Sequence, residues 1–180
     1  MNHPRSDARI TLLLGGARSG KSRLAEQLTE QRPGRLVYIA TAEAWDDEMK
    51  ARIAEHKARR GDRWHGIEAP IAVAEVLQAL TRDDGAADTG AVLIDCLTLW
   101  LSNLMHAGRD IGAETAGLLT ALNGVRCPVL LVSNEVGLSI VPENKLARDF
   151  RDAQGRLNQA VAAAADHAIF MAAGLPLVLK

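Results

Sequence analysis

The residues with the clearest chemistry form one glycine-rich stretch near the amino terminus. An apolar run from Ile10 to Leu14 leads into eight residues with the spacing G-x-x-x-x-G-K-S, namely Gly15, Gly16, Ala17, Arg18, Ser19, Gly20, Lys21 and Ser22. In such a phosphate-binding loop, backbone N–H groups surround phosphate oxygens, the lysine contacts the β- and γ-phosphates, and the serine hydroxyl binds Mg²⁺. A helix following the loop directs the positive end of its dipole at the same anion. The stretch therefore predicts a site for a nucleoside triphosphate and Mg²⁺.

A candidate partner for the metal lies at the end of another apolar run. The residues from Ala91 to Asp95 predict a buried strand that places a carboxylate at its carboxyl end. In a parallel sheet such ends share the edge at which ligands bind. Two interpretations of Asp95 are open: it binds Mg²⁺ through water, or it caps the helix that begins at Leu97. For Glu135, at the same edge, the alternatives are orienting a substrate hydroxyl or capping the following turn.

A polar helix predicted over residues 46–60 carries His56. Arg52 and Arg60 lie one turn before and after it, so the three side chains share a helix face. Like charges on both sides favour the neutral, nucleophilic imidazole, which can attack phosphorus to give a phosphoramidate. Periodicity alone favours the simpler interpretation, in which His56 is a surface residue of a solvated helix.

The composition of the 180-residue chain excludes several classes of protein. A net charge of −1 argues against binding of nucleic acid through bulk electrostatics, and 3% aromatic residues argue against a base-stacking surface. Cys96 and Cys127 are far apart and form no C-x-x-C motif, which favours buried structural thiols in a reducing compartment. No apolar stretch has the length of a membrane span, and residues 1–9 lack the apolar core of a signal peptide. We therefore expect a cytoplasmic protein.

Strand and helix patterns alternate through most of the chain, which predicts βαβ units and a mainly parallel sheet. We expect an α/β fold with helices on both faces of the sheet, an antiparallel strand at its edge, a single domain over residues 10–180 and a flexible arm over residues 1–9. A turn is predicted at Gly174–Pro176 and a loop over residues 83–90. The predicted strands cover residues 10–14, 35–41, 64–69, 91–95, 129–133, 168–172 and 177–179, and the predicted helices cover residues 21–31, 46–60, 71–80, 97–105, 113–122 and 144–166.

Further segments match one known family from residue 10 onward. The matching residues are Gly15–Ser22, Tyr38–Thr41, Asp46–Met49, Arg52, Ile53, His56, Arg60, Trp64, Glu68, Ser133–Gly137, Ile140–Asn144, Leu146–Arg148, Phe150–Asp152, Gly155, Arg156 and Asn158. With these residues the chain resembles the bifunctional adenosylcobinamide kinases / adenosylcobinamide-phosphate guanylyltransferases of cobalamin biosynthesis. The phosphate-binding loop alone is generic, whereas the His56 segment and the Asn-Glu-Val-Gly…Val-Pro-Glu-Asn segment are specific.

The resemblance implies a RecA-like P-loop NTPase fold, a homotrimer and two reactions at one nucleotide site. In the first, ATP or GTP phosphorylates the aminopropanol hydroxyl of adenosylcobinamide, and the family's phosphate-binding lysine maps to Lys21 as a catalytic residue. In the second, GTP donates GMP to a histidine, and GMP then passes to adenosylcobinamide phosphate. The nucleophile maps to His56, while Glu55 stands where some members have another histidine. The nucleotide contacts map to the phosphate-binding loop and to Thr41, Ala42, Glu43, Lys57, Arg60, Glu68 and Asp95, with Ser22 and Asp95 as metal ligands.

Two other functions stay open from the residues themselves. One is a small-molecule kinase without guanylyl transfer, in which His56 is a surface residue. The other is a nucleotide-dependent switch protein. Small GTP-hydrolysing switches read guanine through an Asn-Lys-x-Asp signature, but the only Asn-Lys pair here is Asn144-Lys145, followed by Leu146 and Ala147. The missing signature counts against the switch.

Overall fold

Strands and helices alternate along the residues that the structure describes. A computed structural model describes residues 8–43, 61–82 and 88–180. The strands are β1 (Ile10–Gly15), β2 (Arg35–Ala40), β3 (Trp64–Glu68), β4 (Thr89–Asp95), β5 (Val129–Asn134), β6 (His167–Ala172) and β7 (Leu175–Val178). The helices are α1 (Lys21–Glu30), α2 (Val73–Arg82), α3 (Leu97–His106), α4 (Ile111–Gly124) and α5 (Lys145–Ala164). The helix predicted over residues 46–60 lies outside the described residues.

All seven strands join one sheet in the order β3-β2-β4-β5-β1-β6-β7. Every neighbouring pair is parallel except β6 and β7, which are antiparallel. The expected α/β sheet with an antiparallel edge strand is therefore confirmed. Because β1 to β5 run in the same direction, their carboxyl ends lie along a single edge.

Apolar side chains fill both faces of the sheet, as a parallel sheet requires. Leu12 and Leu14 of β1 belong to a large cluster with α2, α3, α4 and α5, whereas Leu13 belongs to a smaller cluster on the α1 side. Trp100 of α3 is fully buried in the larger cluster, and its indole N–H donates to the carbonyl of Ile71 over 2.8 Å. Helices thus cover both faces, as predicted.

The turn between β6 and β7 is shorter than the sequence predicts. The prediction places the turn at Gly174–Pro176, but β7 already begins at Leu175. Ala173 and Gly174 have φ angles of 52° and 80°, and two successive positive φ values are the signature of a tight two-residue hairpin turn. Pro176 lies within β7, where an edge strand tolerates the missing N–H.

The strand β4 begins two residues before its predicted start. Gly90 appears in the sequence as part of a loop, but the structure places it inside β4. Between β2 and β4 the pairing passes from Arg35 opposite Thr89 to Leu36 opposite Ala91, so Gly90 is the extra residue of a β-bulge. A Cβ at Gly90 would lie 1.6 Å from the carbonyl oxygen of Pro33. Only glycine fits this approach of two backbones.

The predicted N-terminal arm ends earlier than residue 9. Ala8 is buried, and the backbone N–H of Arg9 donates to the Asp166 carboxylate over 3.0 Å. The Arg9 guanidinium donates to the carbonyls of Asn123 and Val125 at the end of α4. These contacts join Arg9 to the residue before β6 and to the end of α4, so residues 8 and 9 belong to the folded part of the chain. Across the described ranges, no helix has the length and apolarity that crossing a membrane requires.

We expect Gly90→Ala to lower the free energy of unfolding by about 1–3 kcal/mol, the usual cost of overpacking a tight site. Its Cβ would require Pro33 and the bulge to move apart. Gly117→Ala is the matched control, since nothing lies within 4 Å of a Cβ there and the position is inside α4. The control should gain up to about 1 kcal/mol from helix propensity. Urea denaturation measures both, and equal midpoints for Gly90→Ala and the wild type would contradict the prediction.

Candidate nucleotide-binding site

The phosphate-binding loop leaves β1 and enters α1 through a backbone that few sequences can adopt. Gly20 is the N-cap of α1 with φ 97°, and Arg18 has φ 55°. A Cβ on Gly15 would lie 2.6 Å from both the Met171 carbonyl oxygen and the Ser19 hydroxyl. A non-glycine residue with positive φ stores strain that is common at ligand sites. The glycines of the motif thus meet a steric demand at each end of the loop.

Two polar side chains of the loop are turned inward. The Lys21 ammonium donates to the Gly16 carbonyl over 3.0 Å, and Lys21 is only 7% exposed. The Ser19 hydroxyl is buried, and it has no hydrogen-bond partner within the described part of the chain. A buried hydroxyl in this position is costly unless a ligand oxygen or water satisfies it. The loop therefore has the donors that a phosphate group requires.

The loop is held from two sides by distant parts of the chain. On one side, the N–H of Glu135 after β5 donates to the Gly15 carbonyl over 3.1 Å. On the other, the N–H of Gly174 in the β6–β7 turn donates to the Ser19 carbonyl over 3.0 Å. These contacts fix both the start and the middle of the loop.

Asp95 faces the phosphate-binding loop from the end of β4. The Ser22 hydroxyl donates to its Oδ1 over 3.5 Å, and the Tyr38 hydroxyl donates to its Oδ2 over 3.0 Å. The N-cap of α3 is Cys96, and no side-chain hydrogen bond caps this helix. Asp95 therefore does not cap α3, and its binding of Mg²⁺ stays a prediction.

A buried threonine fixes the peptide that follows Asp95. The Thr41 hydroxyl donates to the Cys96 carbonyl over 2.8 Å and accepts from the Cys96 N–H over 2.7 Å. The Asn103 amide of α3 donates to the carbonyls of Thr41 and Pro70 over 2.8 and 3.0 Å. The Asp95–Cys96 peptide bond is cis. Thr41 is fully buried, and its two hydrogen bonds to Cys96 hold the backbone next to Asp95.

The two cysteines are free thiols. Burial raises the pKa of the Cys96 thiol, and the neighbouring Asp95 charge raises that pKa further. Burial likewise raises the pKa of the Cys127 thiol, which is half-buried. Thiols with raised pKa values are poor nucleophiles and poor metal ligands at neutral pH. Within the described ranges, no cluster of three or more His, Cys, Asp or Glu side chains is suited to a metal ion.

The other predicted contacts lie along the same edge of the sheet. Glu68 ends β3, and it is in register with Ala40 at the end of β2, which in turn is in register with Asp95. With strands about 4.8 Å apart, four strand spacings separate Glu68 from β1 by roughly 19 Å. Ala42 and Glu43 follow β2 and are half-buried. The edge therefore offers a row of positions that an extended nucleotide can span, while His56, Lys57 and Arg60 lie outside the described residues.

Comparison with known proteins identifies the family. The sequence model of the cobinamide kinase / cobinamide phosphate guanyltransferase family matches residues 11–179. The chain belongs to this family. It is 45% identical over 172 residues to the bifunctional adenosylcobalamin biosynthesis protein CobP of Pseudomonas aeruginosa, covering 94% of this chain and 96% of that protein. It is also 42% identical over 188 residues to the bifunctional adenosylcobalamin biosynthesis protein CobU of Salmonella typhimurium, covering 95% of this chain and 99% of that protein.

Solved structures support the fold. The flagellar accessory protein FlaH from Methanocaldococcus jannaschii superposes with a TM-score of 0.53 at 13% identity, over 96% of this chain and 78% of that one. A KaiC-like protein from Pyrococcus horikoshii superposes with a TM-score of 0.54 at 16% identity, over 93% of this chain and 71% of that one. These likenesses support the predicted α/β fold with its mainly parallel sheet and flanking helices.

The sequence did not predict several residues that hold the candidate site in position. Tyr38 and Asn103 position Asp95 and Thr41, and the β6–β7 turn holds the phosphate-binding loop. Two signals were present: a tyrosine inside an apolar strand must find a partner for its hydroxyl, and an asparagine on the apolar face of a helix must find one for its amide. Glu135 caps its own turn by accepting from the Gly137 N–H, which is one of the two interpretations left open.

We expect Thr41→Val to destabilise the protein by about 1–3 kcal/mol, because it leaves the buried N–H of Cys96 without its partner and removes one of the two hydrogen bonds to the Cys96 carbonyl, which also accepts from the Trp100 N–H. Thr41→Ser keeps the hydroxyl and should retain most of the stability, apart from the loss of one methyl group. Thermal denaturation measures the difference. If the valine variant is as stable as the serine variant, the two hydrogen bonds contribute nothing and the prediction fails.

Proposed function

We propose that this chain catalyses two successive reactions at one nucleotide site. In the first, ATP or GTP phosphorylates the aminopropanol hydroxyl of adenosylcobinamide. In the second, GMP passes from GTP through His56 to adenosylcobinamide phosphate, giving adenosylcobinamide-GDP and pyrophosphate. The observation that carries the proposal is the Ser22–Asp95 pair beside the phosphate-binding lysine, in a chain 45% identical to a bifunctional adenosylcobalamin biosynthesis protein. The homotrimer implied by the family resemblance belongs to the same proposal.

In the kinase step, the substrate hydroxyl attacks the γ-phosphorus and the bond between this phosphorus and the β–γ bridging oxygen breaks. The hydroxyl proton passes to solvent, and the nucleoside diphosphate leaves. Negative charge spreads over the transferring phosphoryl group and the leaving oxygen. The Lys21 ammonium, already held over the loop by the Gly16 carbonyl, lies where it can stabilise that charge.

In the guanylyl step, attack shifts to the α-phosphorus. An imidazole nitrogen of His56 forms a bond to this phosphorus, the bond to the α–β bridging oxygen breaks, and pyrophosphate leaves. The imidazole proton is released to solvent. A phosphate oxygen of adenosylcobinamide phosphate then attacks the same phosphorus, breaks the phosphorus–nitrogen bond and regenerates His56. The phosphate-binding loop serves both steps, since its charges hold the triphosphate in either case.

The residues beside the loop fit Mg²⁺. The Ser22 hydroxyl and the Asp95 carboxylate are oxygen donors 3.5 Å apart, and Mg²⁺ is typically held by one or two protein oxygens, waters and substrate phosphates. Bound there, Mg²⁺ would neutralise phosphate charge in both reactions. Tyr38 keeps Asp95 in place by donating to its other oxygen.

The remaining contacts of the proposal lie toward the nucleoside. Ala42 and Glu43 follow β2, and Glu68 ends β3, at the far end of the row that starts at the phosphate-binding loop. We assign these three residues to the ribose and base of the nucleotide. Thr41 acts through its hydrogen bonds to Cys96, because its own side chain is buried.

The first experiment labels the protein with GTP carrying radioactive phosphorus in the α-position or, separately, in the γ-position. We expect covalent label from the α-position alone, acid-labile and alkali-stable as a phosphoramidate is. His56→Ala should abolish this label. His106→Ala is the matched control, since His106 is an exposed histidine at the end of α3 and should leave the label unchanged.

Absence of α-label in protein that still phosphorylates adenosylcobinamide would overturn the guanylyl step and leave a small-molecule kinase. If His56→Ala retains the kinase reaction, the two steps use separate nucleophiles, as proposed.

The second experiment measures both reactions against Mg²⁺ concentration. Asp95→Asn keeps the shape of the side chain but removes the charge, so we expect the Mg²⁺ concentration for half-maximal rate to rise about 10–100-fold. Tyr38→Phe removes one hydrogen bond to Asp95 and should give a smaller shift in the same direction. An unchanged Mg²⁺ dependence in Asp95→Asn would exclude Asp95 from the metal site.

A further inference from the structure

Three polar side chains lie together in the interior between β5 and α5. Ser133 and Gln154 are fully buried, and Asn158 is 6% exposed. The Ser133 hydroxyl donates to Asn158 Oδ1 over 2.7 Å, and the Gln154 amide donates to Ser133 Oγ and to Asn158 Oδ1 over 3.0 and 2.9 Å. We call these three residues the β5–α5 polar cluster. Buried polar groups are costly unless they are hydrogen-bonded, and a connected cluster of them makes the surrounding structure rigid.

One hydrogen bond fixes the orientation of the whole β5–α5 polar cluster. Asn158 Nδ2 donates to the Asn134 carbonyl over 3.1 Å, and a carbonyl oxygen can only accept. The amide nitrogen of Asn158 must therefore face Asn134, which leaves its Oδ1 to accept from Ser133 and Gln154. The cluster thus has one consistent arrangement of donors and acceptors, and Asn158 joins it to the backbone of β5.

The backbone group that Asn158 holds is the peptide between Asn134 and Glu135. The carbonyl of this peptide accepts from Asn158, and its N–H, which belongs to Glu135, donates to the Gly15 carbonyl over 3.1 Å. A peptide group is planar, so its carbonyl and its N–H turn together. Gly15 is the first residue of the phosphate-binding loop. Asn158 is therefore connected to that loop through a single rigid plane.

Contacts on both sides hold the same stretch of chain. Before the peptide, the Asn134 N–H donates to the Thr98 hydroxyl of α3 over 2.8 Å, and Thr98 is 8% exposed. After it, the Arg151 guanidinium donates to the Gly137 carbonyl over 2.6 Å. Arg151 and Asn158 are about two helical turns apart, so they share a face of α5. This face of the helix therefore holds the chain at two places as it leaves β5.

We infer that Asn158 is a positioning residue of the nucleotide site, because it orients the Asn134–Glu135 peptide and thereby fixes the carbonyl of Gly15. This inference rests on the proposed function. The phosphate-binding loop holds phosphate through backbone N–H groups, whose directions follow from the backbone angles of the loop. Hydrogen bonds weaken steeply when they are misaligned, so a rotation at Gly15 lowers the affinity for the phosphates. Asn158 acts only through the backbone, since its amide is engaged by Asn134 and by the other two members of the cluster.

The test compares Asn158→Leu with Gln154→Met in the full chain. Each variant replaces a buried amide by an apolar side chain of similar shape and breaks hydrogen bonds of the same cluster, but of the two residues it is Asn158 that bonds to the Asn134 carbonyl. Isothermal titration calorimetry with GDP and Mg²⁺ should give a Kd about tenfold higher in Asn158→Leu and a Kd within about twofold of the wild type in Gln154→Met. Both variants should have a lower melting temperature than the wild type.

Hydrogen exchange at the Glu135 amide measures the positioning directly. In the wild type this N–H is protected by its bond to the Gly15 carbonyl. Asn158→Leu should speed its exchange, whereas Gln154→Met should leave the exchange unchanged. If the leucine variant does not fold, Asn158→Ser takes its place, because the shorter side chain cannot reach the Asn134 carbonyl and adds no apolar group to the polar interior.

Two outcomes would overturn the inference while leaving the proposed function intact. One is an unchanged Kd for GDP in a folded variant of Asn158. The other is an equal rise of this Kd in Asn158→Leu and Gln154→Met, which would reflect a general loosening of the interior between β5 and α5. Failure of the proposed function is different: the wild-type protein would then bind GDP yet transfer no phosphate from ATP or GTP to adenosylcobinamide.

Discussion

The geometry of the site depends on satisfying the buried backbone N–H and carbonyl of Cys96. The Thr41 hydroxyl bonds to both groups, and it is the partner that the structure gives the N–H, whereas the carbonyl also accepts from the Trp100 N–H. That single side chain joins the end of β2 to the end of β4, and Asn103 adds α3 to the same arrangement. A buried polar group without a partner costs more than most single contacts contribute, so the three elements can pack in few other ways. Because Asp95 directly precedes Cys96, these hydrogen bonds also fix the position of Asp95.

A similar logic governs the phosphate-binding loop. The local sequence supplies its glycines, but the loop is also held by residues more than a hundred positions away, at Glu135 and Gly174. A Cβ on Gly15 would meet the Met171 carbonyl of β6, so the glycine is required by a neighbouring strand as well as by the loop itself. The strand order explains this: β1 lies between β5 and β6, and both neighbours contribute to the loop's surroundings. The C-terminal hairpin is thus part of the site although it carries none of its chemistry.

The sequence predicted what local pattern determines. Buried parallel strands are continuous apolar runs, and the phosphate-binding loop has a fixed spacing, so the sheet and the positions of Lys21, Ser22 and Asp95 follow from short stretches of chain. What it could not predict depends on contacts between distant stretches. Gly90 was predicted to be a loop residue because the feature that requires a glycine there, the close approach of the Pro33 carbonyl, comes from the turn before β2, more than fifty residues away along the chain.

The hydrogen-bond partners of buried polar side chains could not be predicted from the sequence either. A tyrosine within the apolar strand β2 indicates that its hydroxyl needs a hydrogen-bond partner. Only the pairing of β2 with β4 identifies that partner as Asp95. The same holds for Ser133, Gln154 and Asn158, which hydrogen-bond to one another in the interior between β5 and α5. The sequence pattern indicates which buried polar groups need hydrogen bonds, and the topology of the sheet determines which residues provide them.

The arrangement also bears on the proposal that one site serves two reactions. The groups that hold phosphate are fixed to the carboxyl ends of β1 and β4, in the best-packed part of the sheet. Held there, a triphosphate presents its γ-phosphorus and its α-phosphorus at different places along the same edge, so the choice of reaction passes to whichever nucleophile arrives. In the proposed function, a phosphate site fixed to the sheet and separate nucleophiles require no rearrangement of the sheet between the two steps, only an exchange of one nucleophile for the other.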